Sequence, residues 1–143
     1  MQDPPDLQRF VAAQDPVIDQ VRRELAAGRK ASHWMWFVFP QLRGLGQSAM
    51  AQRYGLASLA EARAYLDHPV LGPRMAECTA LLNAAPGTGA ATILGSVDAR
   101  KLRSCLTLML AARPGAEPYR TALRRFFGDA ADPATLALLA AED

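Results

Sequence analysis

Apolar residues return every third or fourth position between the chain-breaking glycines and prolines of this sequence, the spacing of helices that each bury one face. The sets are Leu7, Phe10 and Val11; Val17, Ile18, Val21 and Leu25; Leu59, Ala62, Tyr65 and Leu66; Met75, Cys78, Leu81 and Leu82; Leu102, Cys105, Leu106 and Met109; and Tyr119, Leu123, Phe126 and Phe127. Arg22, Arg23 and Glu24 are expected on the outer face of the second set. The pattern predicts an all-α or nearly all-α single domain over residues 1–143, with about six or seven helices around one core. A chain of this length buries roughly two-thirds of its unfolded surface, enough for such a core.

Local signals place the boundaries. Asp15-Pro16 reads as a cap followed by a proline suited to a first helical turn, and Asp132-Pro133 repeats it before Leu136, Leu138 and Leu139. Ser58 and Glu61 have capping-box spacing, in which each side chain serves the other's backbone amide. Ser96 or Asp98 can start the helix that carries Leu102 to Met109. Gly28 and Gly128 can close helices in a left-handed conformation, and His68-Pro69, Pro86-Gly87-Thr88-Gly89 and Pro114-Gly115 interrupt others.

Trp34 to Phe39 is apolar on every side, so it is expected in the core, and periodicity leaves strand and helix both open. Pro40, Gly44 and Gly46 then make Gln41 to Ser48 an irregular connection whose backbone amides can approach a ligand.

The chain carries 16 basic and 14 acidic residues, a net charge of +2, too small to draw it as a whole onto nucleic acid or an anionic membrane. Trp34 to Phe39 is far shorter than the roughly 20 residues a membrane helix needs. Met1 to Asp6 has neither a basic nor an apolar leader pattern, so the expected location is the cytoplasm. Cys78 and Cys105 fall on apolar faces and are expected as buried free thiols.

His33 and Asp98 are the candidate catalytic residues. Imidazole exchanges protons near neutral pH, and a carboxylate three positions before Lys101 shares a helix face with it. Lys30, Trp34, Trp36, Gln41, Gly46, Ser48 and Lys101 are the candidate ligand-binding set: aromatic rings to stack on, cations for an anion, and a glycine-containing loop that can cradle phosphate. Each has a plainer role available: a hydrogen-bonded histidine at the edge of the core, core aromatics, a turn, or a helix cap with a surface ion pair. His33, His68, Cys78 and Cys105 lack zinc-site spacing, so no metal and no cofactor is assigned.

The run Gly28 to Gln41 with Gly44-Leu45-Gly46 and Ser48, together with Tyr54, Glu61-Ala62, Tyr65-Leu66, His68 to Gly72, Asp98, Lys101-Leu102 and Phe126-Phe127-Gly128, closely resembles an uncharacterised bacterial family, DUF eighteen-ten. That resemblance implies a mainly helical fold and no function. Some members are labelled calpastatin, but periodic apolar faces and helix caps do not suit that extended, disordered inhibitor. The order of the histidine-aromatic-glutamine segment, Glu-Ala helix and Asp-Lys helix also resembles the NADAR group, which is associated with N-glycosidic and ADP-ribose chemistry. This second resemblance implies Trp34 or Trp36 stacked on a base, Lys101 on phosphate, and His33 or Asp98 assisting departure or water attack.

The sequence therefore does not determine the function. The leading expectation is a domain for a nucleotide-type small molecule or an ADP-ribose-related ligand, with N-glycoside hydrolysis as its catalytic form. The alternative is a non-catalytic module that binds a protein partner through Leu136, Leu138 and Leu139. A membrane partner is not expected. Nucleic-acid binding is not favoured, since it would require Arg53, Arg63, Arg74, Arg100 and Arg103 to converge.

Overall fold

The computed structural model describes residues 6–87 and 89–142; the leader reading at Met1 to Pro5 and the breaker Thr88 lie outside them. The described residues form ten helices: α1 (Gln8–Gln14), α2 (Ile18–Ala27), α3 (Met35–Val38), α4 (Ala49–Tyr54), α5 (Leu59–Asp67), α6 (Leu71–Ala84), α7 (Ala90–Leu94), α8 (Ser96–Ala112), α9 (Tyr119–Phe127) and α10 (Pro133–Ala140). The number exceeds the six or seven expected because α3, α4 and α7 are too short for periodicity to reveal. Extended pairing among the described residues is confined to one isolated parallel bridge between Leu42 and Leu56.

α8 is the hub, packing on α5, α7, α9 and α10. Leu102, Cys105, Leu106, Leu108 and Met109 are all fully buried, as the stripe from Leu102 to Met109 predicts. Around this hub α6 joins α2, α5 and α9, while α3 bridges α1 to α4. Cys78 and Cys105 are buried free thiols. Burial pushes the Cys78 thiol up to about 12 and raises that of Cys105 as well, because a thiolate is poorly solvated there.

A polar pin runs through the apolar interior. Gln14 is buried, and its amide donates to the Phe37 carbonyl at 2.7 Å and to the Tyr65 hydroxyl at 3.0 Å. Burial raises the Tyr65 hydroxyl far above its ordinary value. These bonds tie α1, α3 and α5 without leaving the amide donor unpaired, which inside a core would cost about 1–3 kcal/mol.

Several boundaries have causes other than those expected. Asp15 does not cap α2; Val17 occupies that position, and the Asp15 carboxylate pairs with Arg74 at 2.9 Å. Neither Ser96 nor Asp98 caps α8, which begins after Gly95 at φ 91°. Ser58 does cap α5, but Glu61 accepts from Ala57 N and Arg9 rather than closing the box, and Leu59 N is taken by Glu142.

Asp132 and Pro133 start α10 as predicted; Thr135 is its buried residue, Leu136 and Leu138 are exposed, and Leu139 packs partly against the core. Trp34 to Phe39 resolves into a single helical turn inside the core with Trp36 only partly buried. No helix of the described residues is long and apolar enough to cross a membrane.

Candidate functional site

The site begins where α2 ends. Gly28 adopts φ 72°, and a methyl group there would stand 2.8 Å from the Pro86 carbonyl oxygen. Only glycine fits both the backbone and the space. The reversal folds residues 29–34 back over the end of α2, where Glu24 waits as an acceptor. Its carboxylate receives Gln20 Nε2 at 2.8 Å, Ala31 N at 2.7 Å, Ser32 N at 3.0 Å, Ser32 Oγ at 2.6 Å and the Trp34 indole N–H at 2.9 Å.

Glu24 is buried, contrary to its expected outward position. Burial opposes its charged form, but the hydrogen bonds, led by those from Ser32 and Ala31, outweigh that effect and hold its pKa at about 2. A carboxylate with several N–H and O–H donors behaves this way because the donors serve the anion. The consequence is a fixed Trp34 ring, itself 1% exposed.

On that ring lies Lys30, its Nζ 5.1 Å from the ring centroid. The same ammonium meets Asp98 Oδ2 at 2.9 Å. The other oxygen of Asp98 faces Lys101 Nζ at 3.7 Å, and Lys101 in turn stands 5.1 Å over the Trp36 ring. One carboxylate in the first turn of α8 is thus flanked by two lysines, each over a tryptophan. Ion pairing and the negative face of each ring together localise the ammonium groups.

Lys101 and Gln41 border two adjoining cavities. One is a small pit of about 10 Å³ among Met35, Trp36, Phe39, Ala51, Tyr54 and Gly55, room for about one water molecule. The other is an open cleft of about 270 Å³, walled by Leu45, Gly46, Val97, Arg100, Ser104, Asp132 and Ala134. Gly46 is needed for that wall, since a methyl group would come within 2.6 Å of the Ala51 Cβ. The Leu42–Leu56 bridge clips the loop in place through Arg43 N to Leu56 O at 2.8 Å and Leu56 N to Gln41 O at 2.9 Å.

Of the residues singled out from sequence, Trp36, Gln41, Gly46 and Lys101 line these cavities. Lys30, Trp34 and Asp98 stand behind Lys101 as its supports. His33 is exposed and lines neither cavity. Ser48 is the α4 cap, accepting from Ala51 N at 3.1 Å. Glu24 and Asp132 were missed as site residues because each also fits a routine helix position. Ser104 gave a partial signal as a member of the polar set Asp98, Lys101, Ser104 and Thr107, and Arg100 itself reads as one surface arginine among many.

The sequence matches the family described as "Protein of unknown function (DUF1810)" over residues 4–139. The chain belongs to that family. Among solved structures, the crystal structure of the conserved hypothetical protein Rv1873 from Mycobacterium tuberculosis at 1.38 Å is similar, with 52% identity and a TM-score of 0.94, covering 96% of this chain and 99% of the other. Among curated proteins none matches. Neither the DUF1810 match nor the solved structure carries the NADAR likeness. The expected helical DUF1810 fold is therefore correct.

Proposed function

We propose that the cleft beside Lys101 binds a nucleotide-type or ADP-ribose-related small molecule in the cytoplasm. One observation carries the reading: Trp36, Gln41 and Gly46 from one segment and Lys101 from α8, all with ligand-suited chemistry, border one pair of adjoining cavities. Arg100 and Lys101 supply cations for an anionic group, and Gln41 and Ser104 supply hydrogen bonds that can orient the remainder.

Binding is better supported than turnover. Asp98 is engaged by lysines on both oxygens and borders neither cavity, and His33 lies away from the cleft. N-glycoside hydrolysis is the catalytic extension of the reading and would draw on Asp132, the carboxylate that lines the cleft, to stabilise a developing positive charge on a sugar. The interaction-module alternative is weakened by α10 itself: Leu136 and Leu138 lie roughly 200° apart around a helix with 3.6 residues per turn, and Leu139 is packed partly against the core, so the three build no shared exposed patch.

The test is thermal unfolding against NAD, ADP-ribose, nucleotides and nucleosides. A ligand of the folded state at about 100 times its dissociation constant adds roughly 2.7 kcal/mol, a rise of several degrees for a domain of this size. The expected result is such a rise, diminished in Lys101→Ala. No shift across the panel, or one indifferent to Lys101→Ala, overturns the reading.

A further inference from the structure

Asp132 holds its carboxylate by one oxygen only. Oδ2 accepts from Ser104 Oγ at 3.1 Å, Thr135 N at 3.0 Å and Thr135 Oγ1 at 2.6 Å, while the backbone N–H of Asp132 donates to Thr107 Oγ1 at 2.9 Å. These bonds fix the carboxylate's orientation on both α8 and α10. Oδ1 has no hydrogen-bond partner among the described residues, although the side chain lines the cleft. A helix cap needs one acceptor oxygen, so the second is available to a ligand.

Arg100 stands on the same wall, and its guanidinium makes no ion pair or hydrogen bond among the described residues. Lys101 beside it is held by Asp98 only at 3.7 Å. Arg100 and Ser104 are one turn apart on α8, about 6 Å along its axis, and Ser104 is bonded to Asp132. The lining of the cleft thus combines cationic donors suited to an anion with a carboxylate oxygen suited to hydroxyl or amine donors.

Resting on the nucleotide-type reading above, we infer that the cleft recognises a single ribose phosphate unit, with Arg100 and Lys101 on the phosphate and Asp132 Oδ1 on the ribose hydroxyls. A carboxylate accepting from a ribose hydroxyl is a general way proteins read that sugar. The open cleft, about 270 Å³, is just under the usual size of a small-molecule site, which suits one ribose phosphate with the rest of a larger nucleotide outside.

Calorimetric titration of the full chain with inorganic phosphate, ribose phosphate, adenosine monophosphate and the dideoxy analogue lacking both ring hydroxyls tests this. The expected affinities fall by about tenfold or more on removing the hydroxyls, the size of a hydrogen bond to a charged group. Asp132→Asn keeps a capping oxygen and presents an amide to the cleft, so it is expected to abolish that preference while phosphate binding persists. Equal affinity for adenosine monophosphate and its dideoxy analogue, or a preference that survives in Asp132→Asn, overturns the Asp132 inference and leaves nucleotide binding intact. Absence of binding by all four probes overturns the ribose phosphate inference, and the wider reading falls with it only if NAD and ADP-ribose also leave thermal unfolding unchanged.

Discussion

The indole N–H of Trp34 donates to Glu24 Oε1 at 2.9 Å, so the ring beneath Lys30 is positioned by a buried carboxylate from the preceding helix. Glu24 also receives two backbone amides of the connecting loop. A side chain that reads as a helix-surface acid therefore sets one wall behind the candidate site.

That arrangement makes stability depend on acid. The Glu24 pKa falls from an ordinary 4.5 to about 2 on folding. A lowered folded value contributes stability that is fully present above the unfolded value and lost as pH falls through the folded one. Denaturant unfolding followed from neutral pH downward is expected to show loss beginning near pH 4.5 and continuing toward about 2. Glu24→Gln should cost about 2–3 kcal/mol at neutral pH, the scale of charge-assisted bonds, and flatten this part of the profile. An unchanged profile in the variant would remove Glu24 as its cause.

Lys30 and Asp98 form a mostly sheltered pair, with side chains 8% and 18% exposed. Removing only the anion leaves a cation facing little water, whereas removing both charges avoids that penalty. Asp98→Asn is expected to lose about 2 kcal/mol, below the range for fully buried pairs because Lys101 and solvent remain near. Adding Lys30→Met should recover part of the loss in a double-mutant cycle read by chemical denaturation. Purely additive losses would mean the pair is uncoupled.

Gly28 and Gly128 share a left-handed backbone, at φ 72° and 59°, but differ in their surroundings. A methyl group at Gly28 meets the Pro86 carbonyl, and at Gly128 it meets nothing within 4 Å. Gly128→Ala should cost about 1 kcal/mol from backbone conformation alone, and Gly28→Ala distinctly more, about 2–3 kcal/mol once the close approach is added. Matched melting curves would reveal the order; equal losses would show that the contact with Pro86 relaxes freely.

The features legible in the sequence were those whose causes lie within a few residues. Gly28 ends α2, Asp132 and Pro133 open α10, and the Leu102 to Met109 stripe marks the central helix, because caps and periodicity act over one or two turns. Glu24 escaped this logic. Its donors come from a loop whose path depends on the turn at Gly28, so the surface position suggested by α2 alone was misleading. Asp15 and Glu61 were likewise diverted from their expected capping roles by Arg74 and Arg9, partners that no local pattern identifies. Trp36 and Lys101 were recognisable as useful chemistry, but their meeting depends on how α3 lies against α8.

The clip between Leu42 and Leu56 has a kinetic meaning. Because Arg43 N and Leu56 N are already bonded across it, the loop carrying Gln41 and Gly46 reaches its place without help from a bound molecule. Encounter at this cleft should therefore require little rearrangement, so related ligands would arrive at similar rates and differ chiefly in how long they stay.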